Sequence, residues 1–171
     1  MITFANRREM PIWNVSVQKL MYFAHASFLI RQSRPLIRGA FEAWEYGPVC
    51  RPVYNELKSY GREPITTLIQ RVDPFTGEIT MPALDGDIEA DDHIAGIMRT
   101  MGHLHPNQLI SLSHVRDGAW YEVWNKAKTG ATVGNRISDK LTVERFHKLK
   151  LVLTDAPAQG GMDEATPFAG N

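Results

Sequence analysis

The sequence predicts a mainly α (α+β) fold, a compact helical domain around a central apolar helix with a small antiparallel β-sheet or hairpin. Three observations predict it. Apolar residues recur with helical spacing at Val17, Leu20, Met21, Ala24 and Phe28. Tyr22, Phe23, Ala26, Leu29 and Ile30 fill the other faces, so this helix has no side for water and belongs in the middle of the domain. Later segments repeat the helical period behind capping residues or prolines, whereas strand-like runs are few and short.

Asn14 or Ser16 can cap the central helix, which runs to about Gln32 before Pro35. Phe41-Glu42-Ala43-Trp44-Glu45-Tyr46 alternates as a short strand does, and Gly47-Pro48 closes it with a turn. Trp44, Tyr46, Gly47 and Pro48 are therefore expected to shape a rigid strand-to-helix corner. Pro52 suits the first turn of a helix reaching Tyr60, with Gly61 as a left-handed cap. Leu68–Val72 and Glu78–Met81 flank a run of turn formers, Asp73-Pro74-Phe75-Thr76-Gly77, and read as a small hairpin.

Asp87 can cap the next helix, whose stripe is Ile94, Ile97, Met98 and Met101 and whose end is Gly102. Its neighbouring acids suit a helix N-terminus, which gives a structural cause for local acidity. Pro106 opens a helix through Ser113, and Asp117 is expected to cap another in which Trp120, Val123, Trp124 and Ala127 recur at helical spacing. A last helix starts between Ser138 and Thr142 and buries Phe146, Leu149 and Leu153. These elements divide the chain into an N-terminal arm (1–14), one domain (15–155) and a tail (156–171) whose Pro, Gly, Ala and acids predict disorder.

A chain of 171 residues is long enough for one core and short for two. The single cysteine, Cys50, cannot form an intrachain disulfide or a Cys-based zinc site, which points to a reducing cytoplasm. No apolar run approaches the roughly 20 residues of a membrane span, and no export signal is evident. Net charge is zero, but Asp73 to Asp92 holds seven acids and no base, and Lys126 to Lys150 holds seven bases against Asp139 and Glu144. The two segments either face one another or stand on separate surfaces, one of them a charged docking face. A neutral chain with no groove-reading motif argues against nucleic acid as a partner.

Gly-rich phosphate loops, HExxH and GxSxG are missing, so no standard enzyme signature is present. Asp92, His93, His103 and His105 are the best metal set, yet their spacing is not diagnostic and helix-end roles account for His103 and His105. His25 is either a general base in a pocket or a core imidazole with a hydrogen-bond partner. Ser113, His114 and Asp117 lie too close in sequence to make a triad by themselves. Cys50 is either activated near a helix start or a small buried hydrophobe. No metal or cofactor is expected. Trp44, Tyr46, Trp120 and Trp124 are candidates for core packing or for interface anchors.

Val17-Gln18-Lys19-Leu20-Met21-Tyr22-Phe23-Ala24-His25 and Phe41-Glu42-Ala43-Trp44-Glu45-Tyr46-Gly47-Pro48-Val49 carry a resemblance to a known family. Val53-Tyr54 and Leu57 continue it, as do Leu112-Ser113-His114 with Trp120, and Ile137-Ser138 fits its closing helix. On these residues the chain resembles the SocA-like antitoxin family (Panacea domain), found in phage-associated proteins and toxin–antitoxin operons. It departs from the pattern at Ser113 and Ala119, where the family commonly has Thr and Pro. The resemblance implies a non-enzymatic antitoxin that neutralises a cognate protein toxin by direct contact. It implies a AAA+ protease as a further partner if the antitoxin acts as a proteolytic adaptor. Residues expected to form the partner-binding surface are Trp44, Tyr46, Gly47, Pro48, His114, Trp120 and Lys148. The alternative is a phage-derived enzyme or metal-binding protein that uses the histidines.

Overall fold

The computed structural model describes residues 1–68, 71–72, 75–77, 79–80, 87–130 and 135–149. Leu153 and the expected tail lie outside the described residues, as does part of the loop at 73–78. The described elements run α1 (Ile2–Arg7), α2 (Asn14–Gln32), β1 (Phe41–Trp44), β2 (Gly47–Cys50), α3 (Arg51–Leu57), a 3-10 turn (Lys58–Tyr60), β3 (Arg71–Val72) and β4 (Ile79–Thr80). They continue with α4 (Ile88–Met101), α5 (Pro106–Ser113), α6 (Ala119–Lys128), β5 (Arg136–Ile137) and α7 (Asp139–Lys148). The protein is mainly helical, with a three-stranded antiparallel sheet in the order β2-β1-β5 and a separate β3–β4 hairpin.

Helix α2 is the central helix that its sequence predicts. From Val17 to Leu29 every residue but Met21 is buried, and α3, α4, α5, α7 and β2 all pack on it. Its start differs from expectation. Neither Asn14 nor Ser16 caps it: both lie inside the helix, preceded by an extended Trp13, and Asn14 Oδ1 instead accepts from Gln18 Nε2 at 3.2 Å. The helix stops at Ser33, left-handed at φ 52, whose N–H donates to Leu29 O. Tyr22, Phe23, Phe41 and Phe146 then form an aromatic cluster between α2, β1 and α7, with ring centroids 5.3 to 6.5 Å apart.

Gly47-Pro48 does not end the strand as a turn into a helix; it opens β2. The turn is Glu45-Tyr46, with Trp44 paired to Gly47 and Phe41 to Cys50. Glu45 and Tyr46 keep negative φ while Gly47 takes φ +98, the positive value that lets a short hairpin follow the strand twist. Pro48 is tolerated because β2 is an edge strand, where a missing N–H breaks no ladder.

Asp87 caps α4 by accepting from Ala90 N at 3.0 Å, and Glu89 and Asp91 occupy its first turn. Arg34 reaches both Asp87 and Glu89, at 2.8 and 3.1 Å, so this part of the acidic segment complements a helix dipole and one arginine. Asp117 does not cap α6. It is left-handed at φ 64, which Asp tolerates, and Gly118 precedes the helix instead. Ser138 caps α7 by accepting from Leu141 N. Residues 1–14, set apart in the sequence as an arm, include α1, which touches α4, and contribute Ala5 and Ile12 to the buried core.

Leu20 is fully enclosed in α2, whereas Ile88 at the start of α4 is 74% exposed. Leu20→Ala is expected to cost about 3 kcal/mol of unfolding free energy, and Ile88→Ala less than about 0.5 kcal/mol, by urea denaturation. Equal losses at the two positions would contradict the burial of α2.

Candidate functional site

Gln18, Lys19, His25 and Ser27 are enclosed on α2, and each reaches a neighbouring element. Gln18 Oε1 accepts from Cys50 N at 2.8 Å, and Lys19 Nζ donates to Pro48 O at 2.9 Å. Ser27 Oγ donates to Phe23 O and lies 2.9 Å from His93 Nε2, which donates to Ala24 O at 3.0 Å. His25 is the core imidazole rather than a base facing a pocket. Ile37 N–H donates to its Nδ1 at 3.2 Å, which places the proton of the neutral ring on Nε2, 3.1 Å from Asp139 Oδ1.

Lys19 stands at the centre of the candidate site. It is 1% exposed, and burial pushes its ammonium down to about 7. Directly over it lies Gly47: a Cβ there would stand 2.8 Å from Lys19 Cε and 2.5 Å from Ser113 Oγ. The hairpin backbone can approach α2 and α5 this closely only because the residue is glycine. His114, the residue after α5, stacks on Trp120 with centroids 3.7 Å apart and planes 5° from parallel. Trp120 Nε1 donates to Trp44 O at 2.9 Å, so the stack is bonded to the hairpin. Burial, and secondarily the Lys19 charge, lower the His114 pKa; its Nε2 is enclosed and has no hydrogen-bond partner among the described residues.

At the surface of this cluster Trp44 meets the Tyr54 ring edge-on at 4.9 Å, and Arg51 lies over its face. Glu42 ties the group together, accepting from Trp44 Nε1 at 2.8 Å and from Arg51 Nη2 at 2.7 Å, and the Arg51 hydrogen bond holds its carboxyl below the usual range. Tyr46 projects from the turn, 64% exposed.

The expected partner-binding residues thus fall into three positions. Gly47, Pro48 and Trp120 are buried supports, Trp44 and His114 are half-buried, and Tyr46 is exposed. Lys148 is exposed in the last turn of α7, on a different element. Lys19 is the residue that sequence reasoning missed. A cation in the middle of a helix apolar all round was the available signal, because such a group has no solvated side to occupy.

The competing constellations are not assembled. His93 points into the core, His105 Nδ1 accepts from Asn107 N at 3.2 Å at the start of α5, and His103 is exposed. Among the described residues no three His, Cys, Asp or Glu side chains are grouped to hold a metal ion. Ser113 Oγ donates to Ile110 O within its own helix, His114 faces Trp120, and Asp117 is exposed. Cys50 is buried, and burial raises its thiol pKa, the opposite of activation. A small, mainly apolar cleft lies between α2, α5, α6 and α7, with Tyr22, Ser113, Phe146 and Leu149 among its lining residues. No helix among the described residues is long and apolar enough to cross a membrane.

These features define a mainly helical domain in which a buried lysine and a histidine–tryptophan stack support a short β-hairpin with an exposed aromatic tip. The chain belongs to the SocA-like antitoxin family: the family model described as "Antitoxin SocA-like, Panacea domain" matches residues 17–121. Antitoxin SocA of Caulobacter vibrioides (strain NA1000 / CB15N) is similar to it, 36% identical over 162 residues that cover 93% of this chain and 85% of that protein. No solved structure matches.

Two outcomes follow from the packing around Lys19. Gly47→Ala is expected to destabilise by about 2 kcal/mol or more, from positive-φ strain plus the contacts with Ser113 and Lys19, read from the denaturation midpoint. The second concerns pH. An unfolded chain holds the lysine proton to about pH 10.4, so the unfolded state binds more protons between about pH 7 and that value. Stability from this group therefore rises with pH through that window, by up to about 1.4 kcal/mol per pH unit, and the burial penalty is present in full below it. Lys19→Met should raise the midpoint at pH 7 and remove this rise. Comparing the two proteins isolates Lys19 from Cys50 and Tyr22, whose pKa values burial raises and which act in the opposite sense. Identical pH profiles would contradict the assignment.

Proposed function

We propose that this chain is the antitoxin of a toxin–antitoxin system and neutralises a cognate protein toxin in the cytoplasm by direct, stoichiometric binding. The observation that carries the reading is the 36% identity to Antitoxin SocA along 93% of the chain. It is supported by the structural employment of several groups that could carry chemistry: His25, His93 and His105 bond to backbone or helix ends, and Cys50 is enclosed. The protein acts as a binding module and not as an enzyme.

The partner face is the hairpin tip and its surroundings. Tyr46 is the anchor, Trp44 and His114 flank it, and Gly47, Pro48 and Trp120 hold the backbone beneath. A rigid aromatic on a supported turn loses little conformational freedom on binding, which suits it to an interface centre. Lys148, among the exposed bases of α7, contributes association rate and salt sensitivity more than affinity.

The test is co-expression with the protein encoded by the open reading frame adjoining the gene, using growth and copurification as readouts. The intact chain and a chain ending after Asp155 are expected to rescue growth and copurify at equal stoichiometry. Tyr46→Ala should weaken the complex by about 2 kcal/mol while the fold is kept. Rescue without binding would sink the stoichiometric model. Rescue that disappears in cells lacking AAA+ proteases would replace it with delivery of the toxin for degradation.

A further inference from the structure

Among the described residues Lys19 is the largest side chain that is fully enclosed, and no carboxylate is paired with it there. An enclosed ammonium with one carbonyl acceptor costs stability, and an apolar side chain of the same length would remove that cost. What an apolar side chain could not supply is a directed N–H. Lys19 sends one to a carbonyl 29 residues away, on the strand just after the hairpin turn.

Strand β2 has two described side-chain ties to α2, and they hold different ends of it. Gln18 binds the amide of Cys50, which pairs with Phe41 at the base of the hairpin. Lys19 binds the carbonyl of Pro48, next to Gly47 at the tip, with its Cε and Nζ packed under Gly47 and its charge near His114. Loss of Lys19 would leave the base anchored and the tip without its tie to α2.

We propose that Lys19 is a positioning residue for the partner-binding hairpin: its bond to Pro48 fixes where the Glu45-Tyr46 turn stands against α5, and so where Tyr46 is presented. The proposal rests on the reading that this hairpin contacts the toxin. The lysine sacrifices stability to hold the tip in one place, and its removal acts locally.

The experiment compares full-length wild type, Lys19→Met and Tyr46→Ala by thermal unfolding, by amide hydrogen exchange, and by affinity for the purified protein encoded in the adjoining reading frame. For Lys19→Met the expected result is a melting temperature equal to or above wild type. Exchange at residues 45–47 rises tenfold or more, protection at Cys50 is kept, and affinity falls at least tenfold. A merely structural lysine would instead lower the melting temperature and loosen the whole domain. Unchanged exchange at 45–47, or a Lys19→Met chain that does not fold, overturns the proposal. Affinity lost in Tyr46→Ala but kept in Lys19→Met overturns the positioning role alone. Wild-type affinity in Tyr46→Ala overturns the reading of the hairpin as the partner face, and the proposal with it.

Discussion

The constraint on which the structure depends is that α2 is surrounded. A helix buried on every side satisfies its own backbone, but the polar side chains it carries gain stability only from partners among its neighbours, since water is excluded. In this chain four of those side chains become the joints of the fold. Gln18 and Lys19 fix the two ends of β2, His25 fixes the loop at Ile37 and the start of α7, and Ser27 fixes His93 of α4. Apolar burial supplies the driving force without direction. The polar ties set where each surrounding element sits along the helix, because a hydrogen bond is sensitive to distance and angle in a way that apolar contact is not.

The same ties explain why the chemistry-bearing residues are poor candidates for catalysis. An imidazole whose Nδ1 accepts from a backbone amide and whose Nε2 faces a carboxylate is held in one tautomer and one orientation, which is useful for architecture and closed to substrate. The stack of His114 on Trp120 likewise presents ring faces to each other and not to a cavity. What remains at the surface is shape: a short hairpin with an aromatic tip, braced from below by a glycine, a lysine and an indole bonded to its backbone.

Much of the architecture was legible in the residues. Periodicity located α2, α4 and α6, and Asp87, Pro106 and Ser138 marked helix starts because each supplies a cap or a fitting backbone. What escaped was decided by tertiary contact. Asn14 had the right chemistry for a cap but is bonded to Gln18 instead, and Asp117 gave its place to Gly118 by turning left-handed. Strand β5 is two residues long and exists because β1 offers it a ladder, so no local pattern announces it. Around the site, Trp44, Gly47, Pro48, His114 and Trp120 were singled out and do converge. Lys19, which packs under Gly47 and bonds to Pro48, escapes such a reading because a lysine reads by default as surface.

The pairing of Phe41 with Ile137, and of His25 with Asp139, joins the first third of the chain to its last quarter. During synthesis the central helix is therefore complete long before the strand and helix that cover it exist. At roughly 5–20 residues per second, its apolar surface waits on the order of 5–20 s for α7 to be made. Over that interval the nascent chain exposes an unfinished sheet edge and the face that Phe146 will later cover, both openings for chaperones and proteases. The covering of the central helix is thus completed by the last described element of the fold to be made.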